Sequence, residues 1–424
     1  MNYYIWTIGC QMNRAESSEI GNYLQSLGLE QVRTAREADM VILNTCVVRQ
    51  NAEDKVIGML GYLKGIKREK PDMRIALTGC FVDSDISQLD RQYPYVNHFF
   101  KPSDKINFQD WLYSEAIDSS IRNLDVIIHS TAPVSAYIPI VQGCNNYCSY
   151  CIVPYRRGPE RSRPPDEILN RASELVANGA REIVLLGQNV NAYGKDLDPS
   201  TDLATLLYKL NELRGLIRIR FLTNHPKDMN QDLIKAMLSL NKVCHHICLP
   251  LQAGDDQILK SMNRHYTLAD YRSLVNRIRD SIPDIALSTD IIVGFPGESD
   301  AQYFNTYKAI ADIHFDVVHV AAYSPRAGTF ASKYLPDDIH YDVKLQRLHD
   351  VEDLQTTILS QINQKQIGDT VEILVEGKKG LKWYGRTNSD KLVFFTDPSD
   401  NKGKIVKVNV ESASPWALQG TPVS

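Results

Sequence analysis

Alternating apolar and polar runs divide the first hundred or so residues into strand–helix units. Residues 3–8, 38–43 and 74–77 are short apolar runs typical of buried strands. Apolar residues at helical spacing follow the first two runs, and we expect the first helix to begin near Ser17. Strands that alternate with helices predict an α/β domain with a parallel, doubly wound sheet, whose carboxyl strand ends share one edge.

The same alternation continues through the middle of the chain. Six apolar runs cover residues 137–141, 182–186, 217–222, 246–251, 285–293 and 317–323. Amphipathic stretches separate them at residues 166–178, 201–213, 230–239, 268–282 and 300–311. Six such repeats predict an incomplete parallel (β/α)6 barrel. We expect the polar run Ser288-Thr289-Asp290 to interrupt the fifth strand.

The pattern changes near residue 361 to short β runs separated by glycine turns. These runs cover residues 370–375, 383–386, 392–395 and 405–410, and about five short strands predict a small β-barrel. We therefore divide the chain into four parts. They are an N-terminal domain (1–115), a linker (116–134) with a short strand at 126–128, a central domain (135–360) and a C-terminal domain (361–424).

The composition is that of an ordinary globular protein, with 43% hydrophobic residues, 23% charged residues and a net charge of -4. The overall charge gives no indication of a nucleic-acid partner, so any RNA surface has to be local. The first residues lack the pattern of a signal peptide, and no apolar run is long enough to span a bilayer. We expect a cytoplasmic protein with no membrane contact, whose eight cysteines are ligands or buried side chains.

Three cysteines lie within eight residues just after the first strand of the predicted barrel. Cys144, Cys148 and Cys151, the loop cysteines, have the spacing Cys-x3-Cys-x2-Cys. Three thiolates are one fewer than a structural zinc site or an ordinary iron–sulfur cluster uses. A [4Fe–4S] cluster held by three thiolates would leave one iron open to a small molecule. A zinc site with a distant fourth ligand, or a disulfide with one free thiol, are the alternatives.

Three further cysteines each follow a predicted strand of the N-terminal domain. Cys10, Cys46 and Cys80, the dispersed cysteines, are spaced by 36 and 34 residues, one strand–helix unit each. They should converge at the sheet edge, each near a helix N-terminus that favours the thiolate. We predict a second three-cysteine cluster, and three buried inert thiols are the alternative. For Cys244 and Cys248, a partly buried strand is the expected setting rather than a metal site.

Polar residues follow most of the barrel strands, at the face where barrel enzymes place their ligands. This ring predicts a ligand pocket, and for His225 a structural and a catalytic role are equally open. Basic and aromatic residues predict RNA contacts after the cysteine loop and in the C-terminal domain, although a solvated face and an aromatic core are the simpler alternatives. The candidate RNA contacts are Arg156, Arg157, Arg161, Arg163, Lys382, Trp383 and Arg386.

Together these motifs resemble the methylthiotransferase family of radical S-adenosylmethionine (SAM) enzymes, which join an N-terminal cluster domain, a radical SAM barrel and a C-terminal TRAM domain. The resemblance rests on residues 7–13, 43–49, 78–80, 142–158, 160–163, 186–191, 225–228, 323–328 and 383–387. The run at 186–191 is similar to the branch that acts on isopentenylated tRNA. Pro159 and the run Gln252-Ala-Gly-Asp-Asp256 depart from the usual pattern, but neither contains a cluster ligand.

The resemblance implies two [4Fe–4S] clusters with three cysteine ligands each. The cluster on the loop cysteines would bind SAM and cleave it, after one-electron reduction, to a 5′-deoxyadenosyl radical. The cluster on the dispersed cysteines would carry the sulfur to be inserted. The implied product is a methylthio group at C2 of N6-isopentenyladenosine next to the anticodon in tRNA. The candidate SAM contacts are Gln188, Asn189, Gln252, Thr289 and Asp290.

The implied partners are tRNA and an electron donor such as flavodoxin or ferredoxin. The chain is expected to be a monomer. The sulfur source is left open. Sister branches of the family, which act on threonylcarbamoyladenosine in tRNA or on a ribosomal protein, give an alternative substrate. A non-catalytic RNA-binding zinc protein is the alternative from another class.

Overall fold

The computed structural model describes residues 1–48, 50–82, 86–116 and 132–423 and divides into two compact units. The first unit comprises residues 1–130, 142–146 and 151–161, and the second comprises 131–141, 147–150 and 162–424. The strand predicted at 126–128, most of the predicted linker and Arg49 lie outside the described residues. None of the helices in the described part of the chain has the length and apolarity needed to cross a bilayer.

The first unit contains a five-stranded parallel sheet with strand order β2-β1-β3-β4-β5, which confirms the predicted doubly wound sheet. Its elements are β1 (Asn2–Thr7), α1 (Gln11–Ser26), β2 (Glu30–Gln31), β3 (Met40–Thr45), α2 (Gln50–Glu69), β4 (Arg74–Gly79), α3 (Ile86–Gln92), β5 (His98–Phe99), α4 (Lys105–Trp111) and, further along the chain, α5 (Val153–Arg157). A single π-helical turn, Leu112–Ala116, follows α4.

The central strand β3 is buried on both faces. Val41 and Leu43 pack into one apolar cluster, while Met40 and Ile42 pack into another. A strand covered by helices on both sides needs apolar residues at consecutive positions, which is why this run lacks alternation. The predicted start of α1 at Ser17 is wrong, because Ser17 lies inside the helix and its hydroxyl accepts a hydrogen bond from Thr7 Oγ1 at 2.7 Å.

The second unit contains six parallel strands in two three-stranded sheets, β10-β9-β6 and β11-β12-β13, joined by a bridge between Ile219 and Val243. This arrangement confirms the predicted (β/α)6 pattern. The six strands are β6 (Ser135–Pro139), β9 (Glu182–Leu186), β10 (Arg218–Phe221), β11 (His246–Cys248), β12 (Ala286–Val293) and β13 (Val317–Ala322). Two further short strands, β7 (Val141–Gln142) and β8 (Arg161–Ser162), form a separate two-stranded sheet. The helices are α6 (Pro165–Ala177), α7 (Leu203–Asn211), α8 (Gln231–Ser239), α9 (Asp256–Ser261), α10 (Leu268–Ser281), α11 (Asp300–Ile313), α12 (Phe330–Tyr334) and α13 (Tyr341–Gln364).

The fifth barrel strand is continuous, so the expected interruption at residues 288–290 is wrong. Thr289 is fully buried, and its hydroxyl both donates to Leu249 O at 3.1 Å and accepts from Leu251 N at 2.9 Å. Because both hydrogen-bonding roles are satisfied by backbone, a polar residue costs little in the middle of this strand.

Five strands close into a small barrel at the C-terminal end, as predicted, in the order β14-β15-β16-β18-β17. They are β14 (Thr370–Lys379), β15 (Lys382–Thr387), β16 (Leu392–Thr396), β17 (Ile405–Ala413) and β18 (Leu418–Pro422). The predicted boundary at residue 361 falls inside α13, which leads directly into this barrel.

Two buried arginines of β10 fix the small barrel to the large one. Arg218 donates to the carbonyl oxygens of Arg386 (2.5 Å) and Glu372 (3.2 Å). Arg220 donates to Thr387 O at 3.3 Å and forms an ion pair with Glu182 at 3.4 Å. Because Arg218 and Glu182 are the first residues of β10 and β9, the small barrel is attached at the end of the strands opposite their carboxyl ends.

Candidate functional site

The dispersed cysteines lie at the carboxyl ends of three strands that are neighbours in the sheet. Cys10 follows β1, Cys46 follows β3 and Cys80 follows β4. Gly9 has a positive φ of 127°, and a Cβ placed on it would lie 2.7 Å from Cβ of Cys46. The turns that carry the first two cysteines therefore touch, which leaves no room for a side chain between them.

The turn that carries Cys80 is equally close to the turn that carries Cys46. The amide of Cys80 donates to Thr45 O at 2.8 Å. Gly79 has a φ of 97°, and a Cβ on it would lie 2.2 Å from the same oxygen. The sequence prediction that the three cysteines converge is thus supported by backbone contacts between successive turns.

Two buried asparagines connect these turns. The amide nitrogen of Asn13 donates to Asn44 Oδ1 at 2.7 Å and to Thr45 O at 3.0 Å, while Asn44 donates to Asn13 O at 2.8 Å. Asn13 Oδ1 also accepts a hydrogen bond from Sγ of Cys10 at 3.2 Å. The asparagines that flank Cys10 and Cys46 in sequence therefore hold the two turns together.

Only one of the three dispersed cysteines stands at a helix N-terminus, whereas we expected this of all three. A helix begins directly after Cys10, whereas α2 begins four residues after Cys46 and α3 six residues after Cys80. Burial raises the pKa of Cys46 to about 11, and burial also raises the pKa of Cys80 although Arg157 opposes the shift. A metal that binds these thiols must therefore displace their protons.

The loop cysteines and the dispersed cysteines offer two sets of three soft sulfur donors. Zn–S bonds of about 2.3 Å require thiolates roughly 4 Å apart. Among the described residues, no group of three or more His, Cys, Asp or Glu side chains is placed to hold one ion. All eight cysteines are free thiols. The donor set, three soft sulfurs on touching backbone turns, fits an iron–sulfur cluster, which spreads its ligands over several irons.

A buried arginine belongs to this site rather than to an RNA surface. Arg157, at the end of α5, has a side chain that is only 2% exposed. Its Nε donates to Sγ of Cys80 at 3.2 Å, and its two terminal nitrogens contact the carboxylate of Glu16 at 2.5 and 3.3 Å. The predicted contact of Arg157 with RNA is wrong, because no part of the guanidinium that could bind phosphate is accessible.

In the first unit, the start of the cysteine loop is bound to the segment that follows α5. The amide of Cys144 donates to Gly158 O at 3.2 Å. Asn145 donates to Glu160 through its amide and its side chain, each at 3.3 Å, and the amide of Glu160 donates back to Asn145 Oδ1 at 3.2 Å. These reciprocal bonds fix the backbone on which Cys144 stands.

In the second unit, the middle of the loop rests on the connection after α9. Arg264, which is buried, donates to Sγ of Cys148 at 3.3 Å, to Pro250 O at 3.0 Å and to the hydroxyl of Tyr266 at 2.9 Å. Ser149 Oγ donates to Ser261 O at 2.7 Å. Arg264 is not among the predicted site residues, because no local motif marks it.

Two of the predicted SAM contacts already have partners inside the barrel. The hydroxyl of Thr289 makes its hydrogen bonds with backbone atoms and the residue is fully buried, so its predicted role in SAM binding is wrong. Asn189 is also buried and donates to Asp228 Oδ2 at 2.8 Å.

The other three predicted SAM contacts lie at or near the carboxyl ends of barrel strands. Gln188 follows β9 and is half-buried, as is Asp290 in β12. Gln252 has a positive φ of 73°, and its amide donates to Asp290 O at 2.9 Å. A left-handed conformation at a non-glycine residue is unusual and indicates that the surrounding chain holds Gln252 in place.

His225 has a structural environment. Its backbone amide donates to Asn191 Oδ1 at 2.9 Å, and the side-chain amide of Asn191 in turn donates to His225 O at 3.0 Å. Burial, followed by the nearby charge of Arg264, lowers the pKa of His225 to about 2. A neutral ring that packs edge-on against Tyr266 explains why histidine stands here without assigning it proton transfer.

The remaining candidate RNA contacts differ in exposure. Arg161 and Lys382 are exposed, and Lys382 contacts Gln419 Oε1 at 2.8 Å. Arg156 and Arg163 are half-buried. The exposed pair is therefore the better candidate for phosphate contacts.

Trp383 and Arg386 serve the small barrel itself. Trp383 is 7% exposed, lies in the barrel core and donates from Nε1 to Asp397 O at 3.0 Å, so its predicted stacking on RNA is wrong. Arg386 is half-buried, and its guanidinium donates to Asp390 O at 2.9 Å. Its side chain is 39% exposed, so Arg386 remains a candidate for RNA contact.

Cys244 is buried and Cys248 is partly exposed, as expected for a partly buried strand. Burial raises the pKa of each thiol to about 12. Both remain neutral thiols at physiological pH.

Comparisons with known proteins agree with this architecture. The profile of the Radical SAM superfamily matches residues 138–310, that of the uncharacterized protein family UPF0004 matches 2–101, and that of the TRAM domain matches 364–423. The chain has the fold of the radical S-adenosylmethionine methyltransferase TsrM from Kitasatospora setae, with a TM-score of 0.54 at 12% identity over 76% of this chain and 74% of that chain.

Two curated relatives match almost the full length. A tRNA-2-methylthio-N(6)-dimethylallyladenosine synthase of Dehalococcoides mccartyi is 48% identical, covering 98% of this chain and 97% of that protein. The enzyme of the same name from Chloroflexus aurantiacus is 43% identical, covering 99% and 91%. The chain belongs to the family of tRNA-2-methylthio-N(6)-dimethylallyladenosine synthases, which are radical SAM methylthiotransferases.

Proposed function

We propose that the chain inserts a methylthio group at C2 of N6-isopentenyladenosine next to the anticodon of tRNA. The observation that carries the proposal is the convergence of the dispersed cysteines on touching turns, in a chain that also has the loop cysteines. A structural zinc domain has no need of two separate three-thiol sites. The similarity over the full length supports tRNA as the substrate class.

Each set of cysteines would hold one [4Fe–4S] cluster through three thiolates. The clusters and SAM supply one-electron chemistry and sulfur, which no side chain offers and which an unactivated aromatic C–H requires. The chain's own residues hold the thiolates in register and keep their backbone turns rigid. For SAM, we propose contacts with Gln188, Gln252 and Asp290, which stand at the carboxyl face of the barrel.

For tRNA, we propose phosphate contacts with Arg161 and Lys382, because both side chains are exposed. The TRAM match at residues 364–423 supports an RNA role for the C-terminal barrel. Reduction by a flavodoxin or ferredoxin, a monomeric state and a cytoplasmic location complete the proposal.

The substrate is tested by mass spectrometry of tRNA nucleosides from a strain that lacks this gene. We expect 2-methylthio-N6-isopentenyladenosine to disappear and N6-isopentenyladenosine to accumulate, with recovery when the intact gene is restored. Persistence of the methylthio nucleoside would reject this substrate. Loss of the methylthio form of threonylcarbamoyladenosine, or of a modified ribosomal protein, would assign the chain to a sister activity.

Metal analysis of anaerobically purified protein tests the alternative from another class. A brown protein that contains iron and sulfide supports the enzyme. A colourless protein that contains zinc and no iron would make it an RNA-binding zinc protein.

A further inference from the structure

Arg157 connects three parts of the first unit through one guanidinium. It lies at the end of α5, shortly after the loop cysteines, yet its Nε donates to Sγ of Cys80 at 3.2 Å. Its other nitrogens bind Glu16, on the helix that begins after Cys10. The side chains of Arg157 and Glu16 are 2% and 11% exposed.

The charges at this contact favour a role beyond a simple ion pair. A buried guanidinium is costly unless a carboxylate neutralises it, and Glu16 does so. An ion pair with Glu16 alone would not require Nε to face a sulfur. The rigid fork of arginine lets one edge bind the carboxylate while Nε remains free to donate to Cys80.

A second buried arginine stands in the same relation to the loop cysteines. Arg264 donates to Sγ of Cys148 at 3.3 Å while its other nitrogens bind Pro250 O and the hydroxyl of Tyr266. The two arginines belong to different units and have different secondary partners. In each set of three cysteines, at least one thiol therefore accepts a hydrogen bond from a buried guanidinium.

We infer that Arg157 and Arg264 are positioning residues that donate hydrogen bonds to the ligating sulfurs of Cys80 and Cys148, an inference that rests on the two clusters of the proposed function. A hydrogen bond to a ligating sulfur stabilises the more negative, reduced cluster, and partners of this kind orient the ligand. Arg157 thereby raises the reduction potential of the cluster on the dispersed cysteines and slows its loss.

The test uses the full chain with Cys144, Cys148 and Cys151 replaced by Ala, so that only the dispersed cysteines can hold a cluster. Two variants are made in this background. The first combines Arg157→Met with Glu16→Gln and so removes both buried charges together. The second is Arg157→Lys, which keeps the charge. Arg156→Met is the matched control from the neighbouring position. After anaerobic reconstitution, an EPR-monitored redox titration and the rate of iron loss to a chelator are measured.

For the Arg157→Met, Glu16→Gln protein we expect the equilibrium constant for cluster reduction to fall about tenfold, a shift of about 59 mV to lower potential for one electron. Iron loss should be about tenfold faster. Arg157→Lys should recover part of both effects, and Arg156→Met should change neither.

Two outcomes separate failure of the inference from failure of the function. If the background protein holds a cluster but the potential and the iron loss are unchanged, Arg157 is a structural ion pair and the inference is wrong. If the background protein binds no iron, the dispersed cysteines hold no cluster and the proposed function fails first. In the reciprocal background, with the dispersed cysteines replaced by Ala, Arg264→Met should lower the potential of the remaining cluster, and an unchanged potential would refute the role of Arg264.

Discussion

The two cysteine sites reach the same ligand set by different means. The loop cysteines are brought together by covalent spacing alone, and the surrounding contacts only anchor the loop. The dispersed cysteines are 36 and 34 residues apart, so tertiary structure has to assemble them. Asn13, Asn44 and the close turns at Gly9 and Gly79 do this work in the first unit. The dispersed site should therefore be sensitive to changes in the fold that the loop site survives.

The largest difference is expected from removing one ligand at each site. With Cys46→Ala, methylthiolation should fall to background while reductive cleavage of SAM continues, because the loop cysteines are intact. With Cys148→Ala, both activities should be lost. Assays of 5′-deoxyadenosine and of methylthiolated tRNA, run on the same preparations, measure this. Loss of SAM cleavage in Cys46→Ala would mean that the two sites are not separable.

A smaller effect should follow from crowding the turns of the dispersed site. Gly79→Ala places a Cβ 2.2 Å from Thr45 O at a φ of 97°, so the turn has to move, at a cost of about 2–3 kcal/mol. Iron bound by the dispersed cysteines should fall, while the loop cysteines keep theirs. The matched control is Gly58→Ala in α2, where a Cβ meets nothing within 4 Å and about 0.5–1 kcal/mol of stability should be gained. Equal iron content in the two variants would contradict the account of the turns.

How much of these sites the sequence reveals depends on how local their determinants are. The strand–helix alternation predicts the doubly wound sheet and the incomplete barrel, and the spacing of Cys144, Cys148 and Cys151 predicts a metal loop. The contact between Arg264 and Cys148 could not be predicted, because the two residues are 116 positions apart and no local sequence pattern indicates that they pack together. Arg157 was assigned to RNA because a run of arginines shows charge but does not show which member is buried.

Other errors have the same origin. Ser17 resembles a helix cap in sequence, but it lies inside α1, and its hydroxyl accepts a hydrogen bond from the hydroxyl of Thr7 in β1. Thr289 has a polar side chain and Trp383 an aromatic one, and both types are suited to binding. Each side chain is buried, however, and donates its hydrogen bond to a backbone carbonyl oxygen. Residue type indicates what a side chain can do, whereas burial decides whether it is free to do so.

Removing the asparagine link should weaken the dispersed site more mildly. Asn13→Ala leaves Asn44 Oδ1 and Thr45 O without their buried donor, which should cost about 2 kcal/mol. We expect slower assembly of the cluster on the dispersed cysteines and a lower midpoint in urea, monitored by circular dichroism. Asn145→Ala, at the loop site, is the counterpart and should leave the dispersed cluster unchanged. If both substitutions affect the same cluster, the distinction between the sites fails.

Mildly acidic pH should cause the smallest change in the free energy of unfolding, and the change should arise in the second unit. Burial lowers the pKa of His225 to about 2 and that of His246 to about 4, below the ordinary value of 6.5. Both rings stay neutral in the folded state while the unfolded chain takes up protons below pH 6.5, so their contribution is present above that pH and declines as pH falls. Between pH 7 and pH 5.5 each histidine should cost about 1 kcal/mol of stability.

Denaturation is followed by tryptophan fluorescence in a background with Trp6, Trp111 and Trp416 replaced by Phe, so that Trp383 alone reports on this unit. His246→Asn should flatten the pH dependence, and an unchanged slope would show that the ring is protonated in the folded protein.

The central claim is that the chain holds two separable clusters, each on three thiolates. Its most direct test is the iron and sulfide content of three anaerobically reconstituted proteins: the intact chain, the chain with the loop cysteines replaced by Ala, and the chain with the dispersed cysteines replaced by Ala. We predict about eight iron atoms per intact chain and about four in each variant, with a [4Fe–4S] Mössbauer spectrum in all three. Four irons in the intact chain and none in one of the variants would contradict the claim, because only one site would then hold a cluster.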